Sequence, residues 1–148
     1  MLDPHRILVV ANRTCPCPAL LKEIAQRAAE HEAVSVLLVA PALNTRLRHY
    51  LSDVDPAVAA AHERLDLAQA GLAELGLPAA GEVGDADPHV AIADALARFP
   101  ATEIIISTLP PGQSNWLERG LIERTTSSFG LPVTHLVSRY GADAPLTV

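Results

Sequence analysis

Apolar residues along the 148-residue chain fall into short unbroken runs that alternate with longer stretches of helical spacing. The first run, RILVVA at 6–11, is apolar at both alternating positions, so a strand there has no face for water and belongs inside a sheet. After Pro16 and Pro18, residues Leu20, Leu21, Ile24, Ala25 and Ala28 recur at helical intervals, which predicts a first helix over about 18–31. AVSVLLVAP at 33–41 reads as a second buried strand, stopped by Pro41. A polar loop leads to Asp55-Pro56, where the acid can cap free amides and the proline suits a first helical turn. Leu65, Ala68, Leu72 and Leu75 line one face of the long helix that follows, and Gly76 supplies its stop. LPAAGEV at 77–83 is the third strand and the weakest. Asp87-Pro88 repeats the helix start, with Ile92, Leu96 and Phe99 as the inward stripe and Pro100 as the end. TEIIIS at 102–107 and LPVTHLV at 131–137 are the fourth and fifth strands. Between them, Asn115 and Glu118 have capping-box spacing at another helix, with Ser114 as an alternative cap.

Strands alternating with helices are the pattern of βαβ units around a parallel sheet. Right-handed crossovers then give an α/β fold, an open doubly wound five-stranded sheet with helices on both faces, in one domain spanning 1–148. In such sheets the ligand crevice lies outside the carboxyl ends of the strands, where strand order reverses. Strands one and four are the neighbours expected there, which brings the loops at 11–17 and 107–115 together.

Composition narrows the classes. The 49% hydrophobic content suffices for one core, and the net charge of -6 has no basic run interleaved with aromatics, which argues against a nucleic-acid partner. Two cysteines, Cys15 and Cys17, are too few for a disulfide scaffold. The apolar stretch near the start is only about five residues, too short for a signal core or a membrane span. A cytoplasmic protein with no membrane partner is the expectation. Lys22 is the only lysine, and it lies within the first helix, so chemistry that needs a P-loop or Schiff-base lysine near a loop is excluded.

The stretch STLPPGQSNWLERG at 107–120 carries the most chemistry. A phosphate needs inward backbone amides, little side-chain bulk and a helix dipole behind them. Gly112 removes one side chain, Ser107, Thr108, Gln113, Ser114 and Asn115 are polar donors, and a helix follows. Against this, Pro110 and Pro111 lack N–H groups, Leu109 is bulky and Glu118 is negative; the alternative is a rigid capped turn with Trp116 packed over it. Arg13 in the first loop, and Arg46, Arg48 and His49 after the second strand, have the chemistry to meet a phosphate at this edge. Other chemistries find less support. Two thiols one residue apart supply at most half a zinc site, and among Glu82, Asp85 and Asp87 the last is better explained as a cap, so no metal is expected. His89 and His135 have no recognisable general-base spacing, and neither a Gly-x-Ser-x-Gly elbow nor a dinucleotide fingerprint is present.

RILVVAN, SVLLVAPA, VGDADPHVAIADAL, EIIISTLPPG and ERGLIERTTSSFGLPVTHLV, taken together over roughly 6–138, resemble the universal stress protein family. The resemblance implies a sheet of order 3-2-1-4-5 of the adenine nucleotide alpha hydrolase-like kind, a homodimer through the last strand, and, in one branch, ATP binding. That branch has an Asp after the first strand and a Gly-x2-Gly-x9-Gly-Ser/Thr loop after the fourth. Here Asn12 stands at the acid, Ile106, Leu109 and Arg119 at the glycines, and Gly120 at the hydroxyl. The reading that results is a regulatory binding domain in which ATP or a related adenine nucleotide is the candidate ligand. Asn12 and Val39 would lie near base or ribose, Ser107, Thr108, Gly112, Ser114 and Asn115 around the phosphates, and Arg13 would meet a phosphate. A dimeric interaction module without a small ligand, and a nucleotide-using hydrolase or transferase, are the alternatives.

Overall fold

The computed structural model describes residues 5–11, 18–43, 56–108 and 120–137, which hold strands and helices in strict alternation. In chain order these are β1 (His5–Ala11), α1 (Pro18–Ala28), β2 (Val34–Leu43), α2 (Pro56–Glu74), β3 (Ala80–Asp85), α3 (Pro88–Arg98), β4 (Glu103–Thr108), α4 (Leu121–Phe129) and β5 (Val133–Val137). The five strands form one parallel sheet of order β3-β2-β1-β4-β5.

Alternation along each strand divides the core into two layers. Ile7, Val9, Ala11, Val36, Leu38 and Ile105 face α1 and α2, meeting Leu20, Ile24, Leu65, Ala68 and Leu72. Leu8, Val10, Leu37, Val39, Ile104 and Ile106 face α3 and α4, meeting Ala91, Ile92, Ala95 and Leu121. Both faces of β1 and β4 are covered, which is why their sequences are apolar without a break.

Four details differ from expectation, each for a local reason. Helix α1 ends at Ala28 because its continuation tightens: the Glu30 and His31 amides donate to the Arg27 and Ala28 carbonyls at 3.1 Å, a spacing of three. Pro41 does not stop β2, which runs on to Leu43. Pro41 pairs with Gly84 of β3, and the register shifts between Pro41 and Leu43, an irregularity that accommodates a residue without an N–H. Leu75 is not part of the buried face of α2 and is 54% exposed. Gly76, at φ 81°, closes the helix with the Leu77 amide on the Leu72 carbonyl at 2.9 Å and its own on Ala73 at 3.0 Å, and Leu77 takes the apolar contact instead. That use of Leu77 also delays β3 to Ala80.

Asp87 caps α3 as its sequence suggests: Oδ1 accepts from the His89 amide at 3.0 Å, and Pro88 opens the helix. The expected helix start at Ser114, Asn115 and Glu118 lies outside the described residues. Among those described, no helix is long and apolar enough to cross a membrane.

Candidate functional site at the carboxyl edge of the sheet

The strand order turns back between β1 and β4, since β1 is followed in sequence by β2 on one side and, later, flanked by β4 on the other. Their carboxyl ends are hydrogen-bonded neighbours, with Ala11 opposite Ser107. The ends of β1 and β4 therefore sit side by side at the carboxyl edge, as the topology argument requires. Because the helices run antiparallel to the strands, the amino end of α1 lies at this same edge.

Of the predicted binding residues, Val39, Ser107 and Thr108 are described. All three are buried, with exposures of 1%, 1% and 0%. Val39 packs under α3, where it and Ala91 crowd Gly84 so closely that a Cβ there would stand 3.0 Å from both side chains. Its side chain therefore serves the core. The Thr108 hydroxyl shares a hydrogen bond with His135 Nε2 at 2.9 Å, tying β5 to β4 at the rim of the crevice. Burial holds His135 below its ordinary pKa, against the opposing charge of Glu123, so the neutral imidazole is favoured. His135 had no assigned role in the sequence, since a strand histidine and a threonine |i−j| = 27 away share no local motif. Asn12, Arg13, Gly112, Ser114 and Asn115, like Arg46, Arg48 and His49, lie outside the described residues.

Ile106, which the gap-free match places at the first family glycine, is inside β4. It is fully buried, between Val10 of β1 and His135 of β5. The strand continues to Thr108, so a phosphate-holding loop here begins after that residue.

The carboxylates in and just after β3 are each engaged. Glu82 pairs with Arg98, Asp85 Oδ1 accepts from the Asp87 amide at 2.8 Å, and Asp87 caps α3. They do not converge on a common point, which agrees with reading Asp87 as a cap.

No protein-family model matches the chain, and neither does any curated protein. Among solved structures, it superposes on a universal stress protein from Archaeoglobus fulgidus with a TM-score of 0.64, at 17% identity over 90% of this chain and 98% of that one. A second structure, of the universal stress protein from the same organism in complex with dAMP, gives 0.63 at 18% identity over 91% and 98%. Coverage that extensive, with these TM-scores, shows that the chain has the universal stress protein fold.

Proposed function

We propose that this chain is a universal-stress-protein-like regulatory domain that binds an adenine nucleotide at the carboxyl edge of β1 and β4. The observation that carries the reading is the paired ends of these strands, Ala11 beside Ser107, at the point where strand order reverses. It is supported by the similar archaeal protein whose structure was solved with dAMP. Asn12 would meet the base or ribose, and Arg13, Gly112, Ser114 and Asn115 the phosphates. The role proposed is binding and regulation rather than turnover, with the cytoplasm as the proposed compartment.

A homodimer through β5 belongs to the same proposal. Among the described residues β5 is an outer strand paired with β4 alone, and its last residue, Val137, is 51% exposed, so a second copy could pair with that edge. Light scattering that finds a monomer at high protein concentration would remove this part.

Calorimetric titration of ATP with Mg²⁺, and of dAMP, into the full chain tests the binding reading. Saturable heats that both Asn12→Ala and Gly112→Val abolish are expected. Heats of dilution alone up to millimolar ligand would reject nucleotide binding and leave the dimeric interaction module as the function.

A further inference from the structure

At the opposite, amino edge of the sheet, three side chains far apart in sequence meet without taking part in the crevice. His5 opens β1, Glu103 opens β4, and His31 lies in the turn between α1 and β2. The Glu103 side chain is 8% exposed and that of His5 17%. His5 Nε2 stands 2.5 Å from Glu103 Oε2, and the His5 and His31 rings stack at 3.7 Å with 11° between their planes. One ligand atom from each of the three lies within 4.8 Å of the others.

We propose that His5, His31 and Glu103 are a binding site for one divalent transition-metal ion of the zinc class. Two imidazoles and a carboxylate match the donors such ions select, whereas calcium and magnesium prefer all-oxygen sets. The surroundings are built to aim these donors. Thr102 Oγ1 lies 2.8 Å from His5 Nδ1 and 3.0 Å from the Arg6 carbonyl. When the hydroxyl proton goes to that carbonyl, Oγ1 accepts from Nδ1–H, the tautomer that leaves the Nε2 lone pair for a metal. The other oxygen of Glu103 is held by Arg27 Nη1 at 2.8 Å, and Arg27 is braced in turn by Glu23 at 2.8 Å. Oε2 is thereby the carboxylate oxygen that faces the imidazoles.

Loading the site requires two adjustments of limited size. Metal–ligand bonds of roughly 2.0–2.2 Å set tetrahedral donors about 3.4 Å apart, so His5 and Glu103 must separate by somewhat less than 1 Å. Parallel rings cannot both direct an in-plane lone pair at one ion, so His31 must tilt out of the stack. It is the exposed member and lies in a turn, where that rotation meets least resistance. Three protein ligands leave a fourth position for water. The ion would pin the start of β1, the start of β4 and the turn after α1 together, at the edge of the sheet opposite the proposed nucleotide crevice.

The test uses untagged full-length protein carrying Cys15→Ser and Cys17→Ser, so that no thiol competes, with zinc titrated against a chromogenic chelator. One ion per chain is expected. His31→Ala should weaken binding by more than about tenfold, and His5→Gln and Glu103→Gln at least as much, while His62→Ala, on the exposed side of α2, leaves it unchanged. Because His5 and Glu103 also join elements, His31→Ala is the deciding variant, and its urea midpoint in EDTA should equal that of its parent. Cobalt in place of zinc should give visible d–d absorption that His31→Ala removes. Absence of stoichiometric binding, or equal affinity in the His31→Ala and parent proteins, overturns the site.

Discussion

Thr125 offers a sharp test of the packing argument, because the expected direction is opposite to that of most core substitutions. Its residue is 0% exposed on the inner face of α4, and its hydroxyl has no hydrogen-bond partner among the described residues. A buried hydroxyl left unpaired costs about 1–3 kcal/mol. Thr125→Val keeps the branched shape, exchanges the hydroxyl for a methyl, and changes helix propensity little. The net expectation is a gain of about 1–2 kcal/mol, seen as a higher urea midpoint at unchanged m and a Tm raised by about 3–6 °C. Thr125→Ser, which keeps the hydroxyl and loses the methyl, should destabilise instead. Thr126 is the internal control: its exposed hydroxyl donates to the Ile122 carbonyl at 3.0 Å, and Thr126→Val should move stability by less than about 0.5 kcal/mol. A fall of 1 kcal/mol or more in Thr125→Val would refute the reasoning, since it would mean the hydroxyl is satisfied and does work in the fold.

Three further outcomes follow from single contacts. Asp87→Ala removes the acceptor for the His89 amide and should cost about 1 kcal/mol in chemical denaturation, whereas Asp87→Asn should recover most of it. His135 has a folded pKa below the ordinary 6.5, so the unfolded chain binds its proton first as pH falls; stability should decline from about pH 6.5 downwards, and the difference between wild type and His135→Gln should narrow in that range. Ile106→Gly, although it restores a family glycine on paper, should lose about 4 kcal/mol of stability and gain no nucleotide affinity by calorimetry, because the position is a core strand site.

The sheet was legible because its central strands are covered on both faces: residues 7–11 and 104–106 are apolar at successive positions, which leaves no face for water, and the helices between them carry clear stripes. What escaped were features decided by partners rather than by periodicity. Pro41 looks like a strand end in isolation, yet β2 runs on through it beside β3, with a register shift between Pro41 and Leu43. Leu75 continues the apolar spacing of α2, yet the left-handed Gly76 gives the buried contact to Leu77. The cluster of His5, His31 and Glu103 has no local signature, since its strand ends are brought together only by β1 and β4 being neighbours |i−j| = 98 apart. Within the candidate crevice, Ser107 and Thr108 were picked for their hydroxyls. Their position at the end of a doubly covered strand, which turns both residues into the interior, is a property of the sheet and not of the loop sequence.

That burial changes where selectivity for a ligand must come from. The described frame at the carboxyl edge ends in Ala11, Ser107 and Thr108, all buried, and the Thr108 hydroxyl is already shared with His135. Such a frame supplies the spacing of the two loops and the positive end of α1, which attract an anion but do not distinguish one nucleotide from another. Under the proposed nucleotide reading, discrimination would fall to Asn12 and Arg13 after β1 and to Gly112, Ser114 and Asn115 after β4. Asn12 is the residue through which a change of specificity should be most visible: Asn12→Asp introduces a carboxylate that can hold Mg²⁺ or a ribose hydroxyl but repels phosphate oxygens. In a crevice whose walls contribute no compensating lysine, the gain for Mg²⁺-bound triphosphate and the loss for a metal-free monophosphate should diverge, and the ratio of the two affinities reads the contribution of that one side chain.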